Sequence, residues 1–455
     1  MNSTTTVAAA PGLRHSRAAL FAAVTGFFVI TLDAVVVNVA LREISLDLGA
    51  TLTGLQWIVD GYTLLFASCL LSAGAFSDRI GARRAYAFGM AAFVITSLAC
   101  GLAPTVAVLI LARILQGMAA AVMLPASMAL IGEAFPDPAK RARAVGMWAM
   151  GGALASISGP VLGGMLSLVD WRLIFLVNLP VGAVALIALR RVPRSAHRSV
   201  PIDWAGQLTA VTAMGALTYG AIEAGAVGIA APQTLIAFAV AVVAGAGFIA
   251  AERRGQHPMV PLPLLRDRTM AVSIGVGFSY MVGYFGLPFV MSLYAQQERG
   301  LSPVETGAVF VPMMLGGAVL TPFIARLSEH FGARTLIASG MTVMAAGLAT
   351  IAFLPAAIPV WVLAAVMILV GLAGPLVIPT ITAVLLNSFD AKRAGTVSGI
   401  FNTSRQIGGA LAVAVFGSLL ARSTTFLQGF STSLLIAASL ALAMAIVATR
   451  LPRND

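Results

Sequence analysis

The chain has 455 residues, 59% of them hydrophobic and only 10% charged, and a net charge of +11 at neutral pH. Its mean hydropathy is +0.95, whereas soluble chains carry about 25% charged residues, so a soluble helical protein is excluded. The basic residues are scattered over short loops rather than gathered into a patch, which argues against a nucleic-acid partner and for a lipid bilayer.

Apolar runs of about 20 residues recur from end to end, each long enough to cross about 30 Å of hydrocarbon. A transmembrane barrel would show short alternating segments instead. Residues 1–17 read as a cytoplasmic tail, with 1–12 disordered. The first run is too long for a signal-peptide core and lacks a cleavage site, so it reads as a membrane helix. The runs predict spans at roughly 18–40, 55–76, 84–102, 106–130, 142–167, 171–190, 204–223, 233–250, 270–294, 304–326, 334–353, 358–385, 395–418 and 430–449. Fourteen spans put both termini on one side. About 22 of the Lys and Arg residues fall on that side and about 4 on the other, which makes it the cytoplasmic face. The expectation is therefore a multi-pass protein of a bacterial cytoplasmic (inner) membrane with both termini inside; the Ala, Gly, Arg and Val richness points weakly to a GC-rich genome.

"FSDRIGARR" at 76–84 falls in the loop between the second and third spans. A weaker copy, "SEHFGARTL" at 328–336, falls between the tenth and eleventh. Asp78, Gly81 and Arg83 recur as Glu329, Gly332 and Arg334, displaced by about 250 residues, and "ILQGMAAAVMLP" (114–125) recurs similarly as "ILVGLAGPLVIP" (368–379). Matching offsets in the same order imply a duplicated six-helix half. The expected domains are an N-terminal half at 18–190, a linker with two inserted helices at 191–269, a C-terminal half at 270–449 and a cytoplasmic tail at 450–455. The fold class is an all-α polytopic membrane protein. Parallel halves of this kind build the major facilitator fold, with a substrate site near the midplane between them.

The motifs carry a more specific resemblance. "GAFSDRIGARR" (74–84) resembles the loop signature of the major facilitator superfamily: Gly74, Asp78, Arg79, Gly81, Arg83 and Arg84 match, while Phe76 and Ala82 depart. "LDAVVVNVAL" (32–41), "ARILQGMAAA" (112–121, with Arg113, Gln116 and Gly117) and "GPVLGG" (159–164) resemble the first-, fourth- and fifth-helix signatures of the drug:proton antiporters. Ala155 stands where the last has a leading glycine. "WRLIFLVNLPVG" (171–182), "IDWAG" (202–206) and "NTSRQIGGAL" (402–411) resemble the fourteen-helix branch of that group. The resemblance implies a proton-coupled antiporter that exports drugs or other amphiphilic small molecules by alternating access. It implies no cofactor beyond the proton gradient, and a monomer.

Each motif has a physical reading. In the 74–84 loop, Asp78 would pair with nearby arginines or cap a helix, tying the halves together as a latch when the cytoplasmic side is closed. Gly74 and Gly81 would permit close packing and a tight turn. The plainer reading is a topology signal alone. Gly159, Gly163 and Gly164 would let helix backbones approach, and Pro160 would loosen the helix, which suits an antiporter hinge between halves; the plainer reading is ordinary tight packing.

Ionisable groups at membrane depth mark function by default. Asp33, Arg113, Asp60 and Glu223 are the proton-coupling candidates. Asp33 lies about two-thirds along the first helix and Arg113 about one-third along the antiparallel fourth, so their depths match. Asp33 would load and release the proton, with Arg113 setting its proton affinity; a static ion pair is the alternative. Asp60 and Glu223 lie near helix ends, where interface exposure is the competing reading. Arg405, with Asn402, lies at mid-membrane and either lines the cavity or braces the second half. Gln116, Tyr62 and Tyr280 complete the cavity candidates, with lipid or interface packing as the bland reading of the tyrosines. Embedded acids favour cationic or lipophilic substrates.

Cys69 and Cys100 show no metal spacing, the four histidines sit in tails or loops, and no Gly-x-x-x-x-Gly-Lys-Ser/Thr loop exists, so neither a metal, an enzyme's catalytic cluster nor ATP is expected. The alternative function is a proton symporter importing a small metabolite, which normally lacks the fifth-helix signature.

Overall fold

The computed structural model describes residues 13–195, 203–255, 258–355, 358–389 and 393–451. The expected tails at 1–12 and 452–455, and the linker residues 196–202 and 256–257, lie outside these.

The described chain forms fourteen helical rods: α1 Leu13–Leu48, α2 Leu52–Ile80, α3 Ala82–Gly101, α4 Val106–Ala134, α5 Pro138–Val169, α6 Leu173–Leu189, α7 Trp204–Ala226, α8 Pro232–Arg254, α9 Arg268–Glu298, α10 Pro303–Phe331, α11 Ala333–Phe353, α12 Val360–Ser388, α13 Ala394–Arg422 and α14 Phe426–Ala448. Eleven are long and apolar enough to span a bilayer alone, and α2, read through its bend, makes twelve. Broken after Leu176, α6 is short, and α7 is diluted by Gln207, its threonines and Glu223.

The rods outrun the predicted spans, by eight residues at the end of α1 for example, because hydrocarbon thickness fixes only their middles. The ends are set by caps. Thr51, Thr105, Asp137, Asp203, Asp267 and Thr425 each accept a hydrogen bond from a first-turn backbone N–H of the following helix. Ser302 and Glu305 form a reciprocal capping box on α10, with Pro303 in its first turn.

Two six-helix groups pack alike. In the first, α1 packs on α4, α5 and α6, α4 packs on α2 and α3, and α3 packs on α6. In the second, α9 packs on α12, α13 and α14, α12 packs on α10 and α11, and α11 packs on α14. Across the seam α2 meets α13 and α5 meets α10, while α1 crosses α9. The inserted pair α7/α8 leans on α2 and α13 through α7, with Trp57 of α2 against Tyr219 of α7 at 6.2 Å between centroids.

The repeated loop motif has a backbone cause. Gly81 joins α2 to α3 with φ +88°, and Gly332 joins α10 to α11 with φ +78°. A side chain in that region clashes with the carbonyl, so glycine is required at both sharp turns.

Even crossings leave α1's start and α14's end on one face, here called the terminal face, and the opposite side is the far face. Among the described residues, every hydrogen bond between the two groups lies near the far face. Ser292 Oγ donates to the Asn38 carbonyl at 2.6 Å, and Gln296 Nε2 to the Val39 carbonyl at 2.9 Å. Gln56 Nε2 donates to the carbonyls of Val413 (3.2 Å) and Ala414 (2.8 Å). Backbones also touch there: Gly164 lies against Pro303, and Gly307 against the Pro160 carbonyl. Toward the terminal face the first turns of α5 are exposed. The two groups are thus held together at the far face, and among the described residues no hydrogen bond joins them toward the terminal one.

Candidate functional site

A buried polar network lies inside the first group of helices. Asp33 of α1 is fully buried and forms an ion pair with Arg113 of α4, which is 1% exposed. The other carboxylate oxygen accepts from Gln116 Nε2 at 3.0 Å and from Asn178 Nδ2 at 3.1 Å. Arg113 also donates from Nε to the Ile58 carbonyl at 3.1 Å and from Nη1 to Gln116 Oε1 at 2.9 Å. Its guanidinium sits 4.3 Å from the Tyr62 ring centroid. Asn178 reaches on to Ser97 Oγ at 3.0 Å, and Ser97 donates to the Phe175 carbonyl at 2.8 Å. Five helices, α1, α2, α3, α4 and α6, are therefore joined at one carboxylate.

The sequence explains why these side chains meet. Arg113 and Gln116 are three residues apart on α4, so they share a face. Asp33 and Arg113 lie at similar depth on antiparallel rods. A charged pair in a low-dielectric interior persists only when its remaining hydrogen-bonding positions are filled; Gln116, Asn178 and the Ile58 carbonyl fill them.

Several cavity expectations are corrected. Gln116 is fully buried and Tyr62 is 2% exposed; both face Arg113 inside the helix group rather than an open cavity, and Tyr62 donates to the Ile30 carbonyl at 3.3 Å. Tyr280, 3% exposed, is packed by its stack on half-buried Tyr284, with centroids 5.1 Å apart. Asn402 and Arg405 of α13 are half-buried, and Arg405 Nη1 donates to Asn402 Oδ1 at 3.1 Å.

Asp60 corrects the interface reading. It is fully buried, and neither carboxyl oxygen has a hydrogen-bond partner among the described residues. It lies one turn from Gln56 on the same face of α2, so it sits along the seam with α13. Glu223 is half-buried on inserted helix α7, apart from the Asp33 network.

Asp78, Arg79 and Arg84 are exposed, and Asp78 makes no ion pair among the described residues. The N-cap of α3 is Gly81, with no side-chain capping bond. Arg83 bonds within its own half: its backbone N–H to Ser195 Oγ at 3.0 Å, and Nε to the Leu189 carbonyl at 3.3 Å. Among the described residues no side chain of this loop makes a hydrogen bond or ion pair to the opposite half. Gly74 has open space around it, so close packing does not account for it.

On α5, Gly159 and Gly163 face Val35 and Val36 of α1, whereas Gly164 and the Pro160 carbonyl face α10. The signature thus lies where α5 bridges its own half and the opposite one. The sequence reading missed Asn178 and the far-face donors Gln56, Ser292 and Gln296. Asn178 and Gln56 were visible as lone amides within or beside apolar runs.

The family model of the Major Facilitator Superfamily matches residues 23–413. The Methylenomycin A resistance protein of Streptomyces coelicolor is 36% identical over 90% of this chain and 87% of its own length. The Multidrug resistance protein Stp of Mycobacterium tuberculosis is 38% identical over 88% of this chain and 75% of its own. A crystal structure of the peptide transporter POT in complex with sulfate superposes with a TM-score of 0.70 at 16% identity, covering 96% of this chain and 93% of that one; it shares the fold.

Proposed function

We propose that this chain, which belongs to the Major Facilitator Superfamily, exports drug-like small molecules across a bacterial cytoplasmic membrane in exchange for protons. The observation that carries the reading is the Asp33 network. An acid sealed at membrane depth against a single arginine is costly to keep unless it is used. The resistance functions named for the relatives support the drug class of substrate.

The residues supply a route from proton to gate. Protonation of Asp33 removes the charge that Arg113 answers and leaves the guanidinium to the Ile58 carbonyl, Gln116 and the Tyr62 ring. Asn38 and Val39 lie five and six residues beyond Asp33 on α1, about 8–9 Å along the axis, and Gln56 lies two residues from Ile58. The groups that Asp33 and Arg113 hold therefore share rigid helices with the far-face seal. A shift of α1 against α4 alters that seal, which is what alternating access requires. The terminal face is read as cytoplasmic from its excess of Lys and Arg. On that reading substrate enters between the halves from the terminal face, and Asp78 and its neighbours meet partners when that face closes.

The test is reconstitution. Asp33→Asn keeps the size and loses titration, so it abolishes uphill efflux driven by an imposed pH gradient in proteoliposomes while downhill exchange continues; Asp33→Glu restores part of the drive. An Asn variant that pumps as fast as the parent passes the coupling role to Asp60 or Glu223. A reporter fused after Leu451 should read as cytoplasmic and one in the 295–303 loop as external.

A further inference from the structure

We infer that the half-buried Arg405 forms a binding site for an anionic group, and that the exported substrates include acidic amphiphiles. The inference rests on the exporter reading and names the substrate class for it.

Cationic substrates would require an available acid in the cavity. The structure withholds Asp33, which is fully buried and committed to Arg113, Gln116 and Asn178. Asp60 is likewise fully buried in the packed seam. In contrast, Arg405 is a half-buried guanidinium at mid-membrane with no carboxylate partner among the described residues. Its polar contacts there are Asn402 Oδ1 at 3.1 Å and the weak acceptor Met281 Sδ at 4.0 Å. Its Nε has no partner among the described residues. The buried Phe401 ring lies 5.8 Å from Cζ.

An arginine so placed is an incomplete ion pair. Charges at this depth are normally neutralised by a partner, and the planar fork of a guanidinium matches a carboxylate by two parallel bonds. The first half completes its own pair internally, Asp33 with Arg113. The second half offers only the cation, so the missing acid is supplied from the cavity. The second-half site thus selects an acidic group.

The probes are fluorescein and rhodamine 123, which share a xanthene core and differ in charge. Binding to the purified chain in nanodiscs is read by fluorescence anisotropy, which needs no transport. The parent should bind fluorescein more tightly than rhodamine 123. Arg405→Gln should weaken fluorescein about tenfold or more, as expected for loss of a charge-assisted bond, and leave rhodamine 123 unchanged; Arg405→Lys should recover part. Preference of the parent for rhodamine 123, or an Arg405→Gln variant with unaltered fluorescein affinity, overturns the site. Equal weakening of both dyes makes Arg405 a brace and also overturns it. Export is scored separately in proteoliposomes: fluorescein that binds through Arg405 but is not driven by a pH gradient leaves the anion site standing and removes the exporter reading.

Discussion

Substitution of Gly164 by alanine should open the far face. An added Cβ there would lie 2.5 Å from the Pro303 carbonyl oxygen and 2.8 Å from the Val304 Cα. Both are backbone atoms at the start of α10, held by the Ser302–Glu305 capping box, so no flexible side chain can swing away. Separating α5 from α10 by several tenths of an ångström is the remaining relief. Overpacking of this kind costs about 1–3 kcal/mol. In the structure as described the clash is fully felt, and in a state with the far face parted it is absent. The cost therefore transfers to the conformational equilibrium, shifting it about 5- to 150-fold toward the state with the far face parted. Spin labels at Leu46 and Glu298, both exposed near the far ends of α1 and α9, report the separation of the halves by pulsed dipolar spectroscopy, with Cys69 and Cys100 replaced by alanine. The parent should give a short distance, and Gly164→Ala a second, longer population that becomes the major one. Gly159→Ala, whose Cβ would meet only side chains of α1, Val35 at 3.3 Å and Leu32 at 3.7 Å, should leave the distribution near that of the parent. A Gly164→Ala protein that folds and keeps the parent distribution refutes the view that this backbone contact closes the far face.

The Asp33–Arg113 pair should behave as a unit. Arg113→Gln alone should destabilise by about 3–5 kcal/mol by stranding a buried acid, and Asp33→Asn with Arg113→Gln should cost less than the two singles summed, by about 2 kcal/mol; additive shifts in thermal unfolding of the detergent-solubilised protein would deny the coupling. Gly81→Ala places a side chain at φ +88° and should cost about 1–2 kcal/mol, whereas Gly74→Ala, with open space around it, should be neutral; equal losses in the same melting assay would contradict the backbone account of the motif. Asp78→Asn should leave expression and substrate affinity intact and slow turnover, since Asp78 makes no ion pair among the described residues and on the latch reading gains one only when the terminal face closes; a collapse of affinity with normal turnover per bound substrate would move the loop into the binding site.

Much of this protein is legible in its sequence because lipid imposes simple rules. Hydrocarbon thickness marks each span, and capping residues such as Thr51, Asp137 and Ser302 mark where rods begin. The repeat of Gly81 as Gly332 is a backbone requirement, so it survives in the letters. Depth along antiparallel rods even pairs Asp33 with Arg113. Depth does not give direction around the helix. In an apolar solvent the lipid-facing, core-facing and cavity-facing sides of a helix read alike, so packing alone decided that Gln116 and Tyr62 turn inward onto Arg113, that Asp60 is fully buried, and that Arg405 has no carboxylate partner among the described residues. The far-face seal was hidden for a different reason. Gln56, Ser292 and Gln296 donate to backbone carbonyls, and a carbonyl is present at every residue, so the acceptor leaves no mark in the sequence and only the approach of the two halves selects it.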